Sequence, residues 1–122
     1  MKRKILIIDD NQGDRQLVKE YLTEAGFDFE YLLTGSGEEG VARMKDFKPD
    51  VVVIDTKLPG IDGYETCRQI KLVAPETKVI ILTGVVDAVD SGKAREAGAD
   101  EFTIKTANYE VFTASFRDML KV

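Results

Sequence analysis

Three unbroken runs of aliphatic, mostly β-branched residues, at 5–8 (ILII), 51–54 (VVVI) and 79–82 (VIIL), constrain this chain more than any other feature. A strand with one wet face alternates apolar and polar residues, whereas a continuous apolar run marks a strand covered on both faces, as in a parallel sheet under helices. Two weaker runs, 29–33 and 102–104, have polar neighbours that suit strands nearer a sheet edge. Helical spacing fills the gaps between them. Leu17, Val18, Tyr21 and Leu22 predict a first helix over 12–25, stopped at Gly26. Ser36 with Glu39 makes a capping box for a second, which should end near Asp46 ahead of Pro49. A third covers 64–73 and stops before Pro75, and a fourth over 91–97 has few large apolar residues. The last, from about residue 108 to the end, carries Phe112, Phe116, Met119 and Leu120 on one stripe. Strand and helix alternate five times, and right-handed crossovers then place helices on both faces of one parallel sheet. The predicted fold class is α/β, a doubly wound five-stranded parallel sheet, with residues 1–122 as a single domain free of repeats or linkers.

Charge and residue usage exclude much chemistry. Lys plus Arg number 17 against 22 Asp plus Glu, a net charge of −5, so nucleic acid or anionic lipid would need a basic patch that the chain does not offer. No run approaches a membrane span, and the start, MKRKILIIDD, has no small-residue cleavage site, so a cytoplasmic protein is expected. The single Cys67 fits a reducing compartment. With no histidine there is no Ser-His-Asp or Cys-His pair and no histidine zinc site.

In an open parallel sheet the functional crevice lies beyond the carboxyl ends of the strands, where strand order reverses. The first run ends in Asp9 and Asp10, the third strand in Asp55, the fourth in Thr83 and the fifth in Lys105. Singly, each has an ordinary explanation: a helix N-terminus for the paired acids, a turn for Asp55, a strand residue for Thr83, a solvated strand end for Lys105. Together they place three carboxylates, a hydroxyl and an ammonium on one edge. Two carboxylates about 5 Å apart repel by roughly 3 kcal/mol at an effective dielectric of about 20, so the cluster calls for a cation. An all-oxygen donor set favours Mg²⁺ or Mn²⁺, which usually share their coordination with phosphate. The nucleophile available for phosphoryl transfer is then a carboxylate.

These residues resemble the receiver domain of two-component response regulators, through IDD at 8–10, VVVIDTKLPGIDG at 51–63, ILTG at 81–84 and GADEFTIK at 98–105. The resemblance implies a flavodoxin-like strand order of 2-1-3-4-5. It also implies a signalling switch rather than an enzyme, catalysing only its own phosphorylation and dephosphorylation. Asp55 would be the phosphoacceptor, taking its phosphoryl group from a sensor histidine kinase or a histidine phosphotransfer protein. Asp10, Asp55 and the backbone carbonyl of Lys57 would bind the metal, with Asp9 acting through water. Lys105 would pair with the phosphoryl oxygens and Thr83 would hydrogen-bond to them. Phe102 matches the family's aromatic switch, though an ordinary core ring explains it equally well. The output would be a downstream protein target or effector domain, read through the fourth helix, fifth strand and fifth helix, with no direct nucleic-acid or membrane contact.

Some positions depart from the pattern. Thr106 follows Lys105 where many members have proline, so a cis peptide is not assumed. Branched Val85, two beyond Thr83, is expected to hinder water access, and Lys57 has Glu101 or the phosphoryl group as alternative partners. A flavin-binding flavodoxin-like module, a haloacid-dehalogenase-like phosphatase and a receiver-like scaffold that works without phosphorylation are the rival readings.

Overall fold

The computed structural model describes residues 2–84 and 91–120; Val85 lies outside them. The chain alternates β1 (Lys4–Ile8), α1 (Gln12–Glu24), β2 (Glu30–Thr34), α2 (Gly37–Phe47), β3 (Val51–Asp55), α3 (Gly63–Val73), β4 (Lys78–Thr83), α4 (Ser91–Glu96), β5 (Glu101–Ile104) and α5 (Glu110–Leu120). All neighbouring strands are parallel, in the order β2-β1-β3-β4-β5.

The continuous apolar runs work because their alternate residues serve two cores. Ile5, Ile7, Val51, Val53, Ile80 and Leu82 face Val18 and Leu22 of α1 and Phe112 and Phe116 of α5. Leu6, Ile8, Val52, Ile54, Val79 and Ile81 face Met44, Cys67, Ile70 and Ala94, from α2, α3 and α4. Each fully buried side chain of this kind contributes roughly 1.5–3 kcal/mol, so a polar residue on either parity would remove support from one face. The chain steps one way from β1 to β2 and the other way to β3. A right-handed crossover therefore puts α1 and α2 on opposite faces and opens the crevice between β1 and β3. The edge strands β2 and β5 are only partly buried, as their mixed composition predicted.

Local signals set the boundaries. Ser36 caps α2 by accepting from the Glu39 N–H at 3.1 Å, while the Glu39 carboxylate reaches back to the Gly35 N–H. α5 begins at Glu110, two residues later than its periodicity predicts, because Tyr109 takes φ 54° and stacks its ring on Tyr21 at 5.0 Å. α4 buries Ala94 alone, in line with its weak apolar content. Among the described residues no helix is long and apolar enough to cross a membrane.

Candidate functional site

The registers Ile8↔Ile54, Asp55↔Leu82 and Thr83↔Ile104 bring the strand ends level, so the residues that follow them meet at one rim. Asp9 leaves β1 buried. Its Oδ1 accepts the Asn11 N–H at 3.0 Å, and its main-chain oxygen accepts from the Arg15 guanidinium at 2.9 Å. Asp10 is exposed. Asp55 closes β3, and its Oδ2 accepts the Lys57 N–H at 3.0 Å. The chain turns back into α3 so tightly that the Gly63 N–H donates to the Thr56 carbonyl at 3.0 Å. A Cβ on Gly63 would run into the Asp55 carbonyl oxygen and Thr56 Cα, so only glycine lets α3 start here.

Carboxylate oxygens of Asp9, Asp10 and Asp55 all lie within 4.8 Å of one another. Lys105 reaches this cluster from the end of β5, its main chain fixed by an N–H bond to the Thr83 carbonyl at 2.8 Å. Its side chain is 12% exposed, and Nζ lies 3.0 Å from Asp9 Oδ2, 2.9 Å from Asp14 Oδ2 and 3.2 Å from Asp55 Oδ1. This is not a solvated strand end. The peptide after it is trans, since no cis bond occurs among the described residues.

The charges oppose one another. Burial pushes the Asp55 carboxyl up from the ordinary aspartate range, and the charge of Asp9 adds to that. The Lys105 charge and hydrogen bond and the Lys57 N–H pull the other way without cancelling it. For Lys105, burial favours the neutral amine, but the hydrogen bond it donates to Asp14, the charge of Asp55 and the contacts of Asp9 outweigh it, so the ammonium is held charged above the usual lysine range. Three carboxylates share one ammonium, a fourth, Asp10, lies beside two of them, and all the donors are hard oxygens with neither His nor Cys among them. That donor set fits a divalent cation of the Mg²⁺ type, which would supply the missing positive charge.

Thr83, buried at the end of β4, accepts a hydrogen bond from the Thr56 hydroxyl at 2.8 Å. Phe102 is half-buried on β5 and, with Tyr64, Ala94, Thr56 and Thr83, borders a gap too narrow to hold a water molecule. Lys57 is exposed; its backbone N–H meets Asp55, and it makes no ion pair with Glu101 among the described residues. The geometry thus gathers Asp9, Asp10, Asp55 and Lys105 into one cluster and sets Thr83 and Phe102 beside the chain that follows Asp55.

Sequence reasoning missed three participants. Asp14 is the first, and the signal for it was Asn11, which caps α1 and sets Asp14 in the first turn over the rim. Thr56 and Arg15 left no such signal, because the reach of one hydroxyl and one guanidinium depends on how the loops fold back.

The family model for the response regulator receiver domain matches residues 5–117. The transcriptional regulatory protein AfsQ1 of Streptomyces coelicolor is 33% identical over 117 residues, which cover 96% of this chain and 51% of that protein. The BeF₃-activated receiver domain of DrrB, a Thermotoga maritima regulator, is 34% identical, with a TM-score of 0.82 and full coverage of both chains. TrrA of Thermotoga maritima, solved in complex with Mg²⁺-BeF, is 29% identical with a TM-score of 0.86, covering 97% of this chain and 99% of that one. The chain spans about half the length of the curated relatives it matches. The order β2-β1-β3-β4-β5, the acid cluster at its switch point and a match over nearly every residue lead to one assignment: the chain belongs to the receiver domain family of two-component response regulators.

Proposed function

We propose that this receiver takes a phosphoryl group onto Asp55 from a phosphohistidine on a sensor histidine kinase or a histidine phosphotransfer protein, and that the phosphorylated form changes which protein it binds. The observation that carries the reading is the buried Asp55 carboxylate, held through one oxygen by the Lys57 N–H and through the other by the Lys105 ammonium, beside two further acids. A divalent cation, Mg²⁺ or Mn²⁺, held by Asp10, Asp55 and the Lys57 carbonyl, with Asp9 acting through water, would neutralise charge on the transferring phosphoryl oxygens. An Asp55 oxygen attacks phosphorus in line, the P–N bond to the donor imidazole breaks, and that nitrogen keeps the electron pair and takes up a proton. Lys105 follows the new oxygens as a charged donor.

The acyl phosphate then draws the Thr83 hydroxyl away from Thr56. Phe102 turns toward the gap beside them, and the face made by α4, β5 and α5 presents the change to a target protein or an effector domain. Water attacking phosphorus returns Asp55 and phosphate, so the chain catalyses only its own modification. The acidic balance fits a partner that is protein rather than nucleic acid or membrane, and the free Cys67 fits a cytoplasmic setting.

The test is intact-mass measurement after incubation with Mg²⁺ and acetyl phosphate. The wild type gains one phosphoryl group and Asp55→Asn gains none. A wild type that gains nothing overturns the reading and leaves a scaffold that binds without phosphorylation, and an equal gain on Asp55→Asn overturns it by placing the phosphoryl group on another residue.

A further inference from the structure

An ammonium has three protons, and Lys105 donates to Asp9 Oδ2 at 3.0 Å and Asp14 Oδ2 at 2.9 Å, with Asp55 Oδ1 in ion-pair range at 3.2 Å. Carboxylates crowd this ammonium on three sides, so a phosphoryl group arriving on Asp55 must compete with the others for it. The three differ in what release costs. The Asp9 and Asp55 side chains are 5% and 11% exposed and lose a cation into a buried, acidic site if they let go. Asp14 is 37% exposed and can be taken up by water. Its backbone is held independently of its carboxylate, because the Asp14 N–H donates to the Asn11 side chain at 2.9 Å. The carboxylate is therefore free to let go without disturbing the start of α1.

We propose that Asp14 is a latch on Lys105: it holds the ammonium in the unphosphorylated arrangement and competes with the phosphoryl group for it, shortening the life of the phosphorylated state. Asp14 acts through Lys105 and is a positioning residue. The proposal rests on the reading of Asp55 as phosphoacceptor. It adds that this chain carries, on its first helix, a charge that opposes its own switch.

The experiment measures phosphoryl half-life by intact mass after removal of acetyl phosphate, in Mg²⁺, for the wild type, Asp14→Asn and Asp14→Glu. It is paired with proton–nitrogen spectra of the Lys105 ammonium before phosphorylation. Asp14→Asn is expected to lengthen the half-life roughly two- to fivefold, the range for an ion pair to a partly exposed carboxylate. It should also speed solvent exchange of the Lys105 ammonium protons, and Asp14→Glu should restore both values. Equal or shorter half-lives for Asp14→Asn, a gain that Asp14→Glu shares, or an unchanged ammonium signal each overturn the latch while leaving the phosphoacceptor standing. Absence of any phosphoryl gain on the wild type removes both.

Discussion

Both ends of the sheet carry a half-buried lysine on an aspartate, and the two sites have opposite characters. At the amino ends of the strands, Lys71 Nζ lies 2.8 Å from Asp100 Oδ2 and donates to the carbonyls of Thr77 at 2.6 Å and Pro75 at 3.3 Å. The same Asp100 oxygen accepts the Val79 N–H at 2.8 Å. One cation meets one anion and two neutral oxygens, and the charges balance. At the carboxyl ends, Lys105 meets three carboxylates, with Asp10 close to two of them. The lysines are similarly covered, 17% and 12% exposed, so burial does not separate them. Charge balance does: a closed pair staples α3 to the start of β5, whereas an over-acidic cluster is incomplete until a cation or a new donor demand arrives.

The largest expected effect breaks the staple. Asp100→Ala leaves the Lys71 ammonium without an anion and the Val79 N–H without its carboxylate, and should destabilise the fold by about 2–3 kcal/mol in urea unfolding. A loss as small as that of an exposed ion pair would mean the lower site is not the closed unit described here. Glycines make the same contrast on the backbone. Gly98, at φ 88°, lies against the flexible Lys71 side chain, whereas Gly63 lies against the rigid chain of Asp55 and Thr56.

Next in size is the response to metal. With Mg²⁺ tenfold above its dissociation constant, linkage stabilises the native state by about 1.4 kcal/mol, read as a rise in the thermal midpoint. The rise should persist in Asp100→Ala and shrink in Asp10→Asn. An equal rise in Asp10→Asn would place the cation elsewhere.

Much of this contrast was legible in the sequence, but unevenly. The runs 5–8, 51–54 and 79–82 declared the central strands because short, mostly β-branched aliphatic runs suit strands covered on both faces, and Asp9, Asp55 and Thr83 followed as their next residues, with Lys105 after the weaker run 102–104 of the edge strand β5. Strand ends are legible because register levels them. The partnership of Asp14 with Lys105, separated by 91 positions, was not legible, since it depends on the phase of α1 above the rim. Nor was the pair Lys71–Asp100, because two charged residues at the end of a helix and after a turn look alike whether solvated or joined. The expectation for Val85 concerns a residue outside those described.

The smallest effect tests the upper site alone, in chelator, by the pH dependence of stability. The folded Asp55 carboxyl lies above its ordinary value because burial, then the charge of Asp9, favours the neutral form more than Lys105 and the Lys57 N–H favour the charged one. Native protein therefore holds this proton more tightly than the unfolded chain does, and linkage gives a stability that falls as pH rises. The contribution is fully present below the unfolded value of 3.8, declines between that value and the raised native one, and stays lost above it. Asparagine cannot ionise, so Asp55→Asn should match the wild type at the acid end of that window and be the more stable of the two at pH 7, in paired urea titrations. The attraction of Lys105 is already counted in the direction of the shift, which is why losing it does not reverse the sign. Mg²⁺ should reverse it, by favouring the ionised acid. An Asp55→Asn protein less stable than the wild type at pH 7 in chelator would make the upper site a second staple and erase the distinction between the two ends.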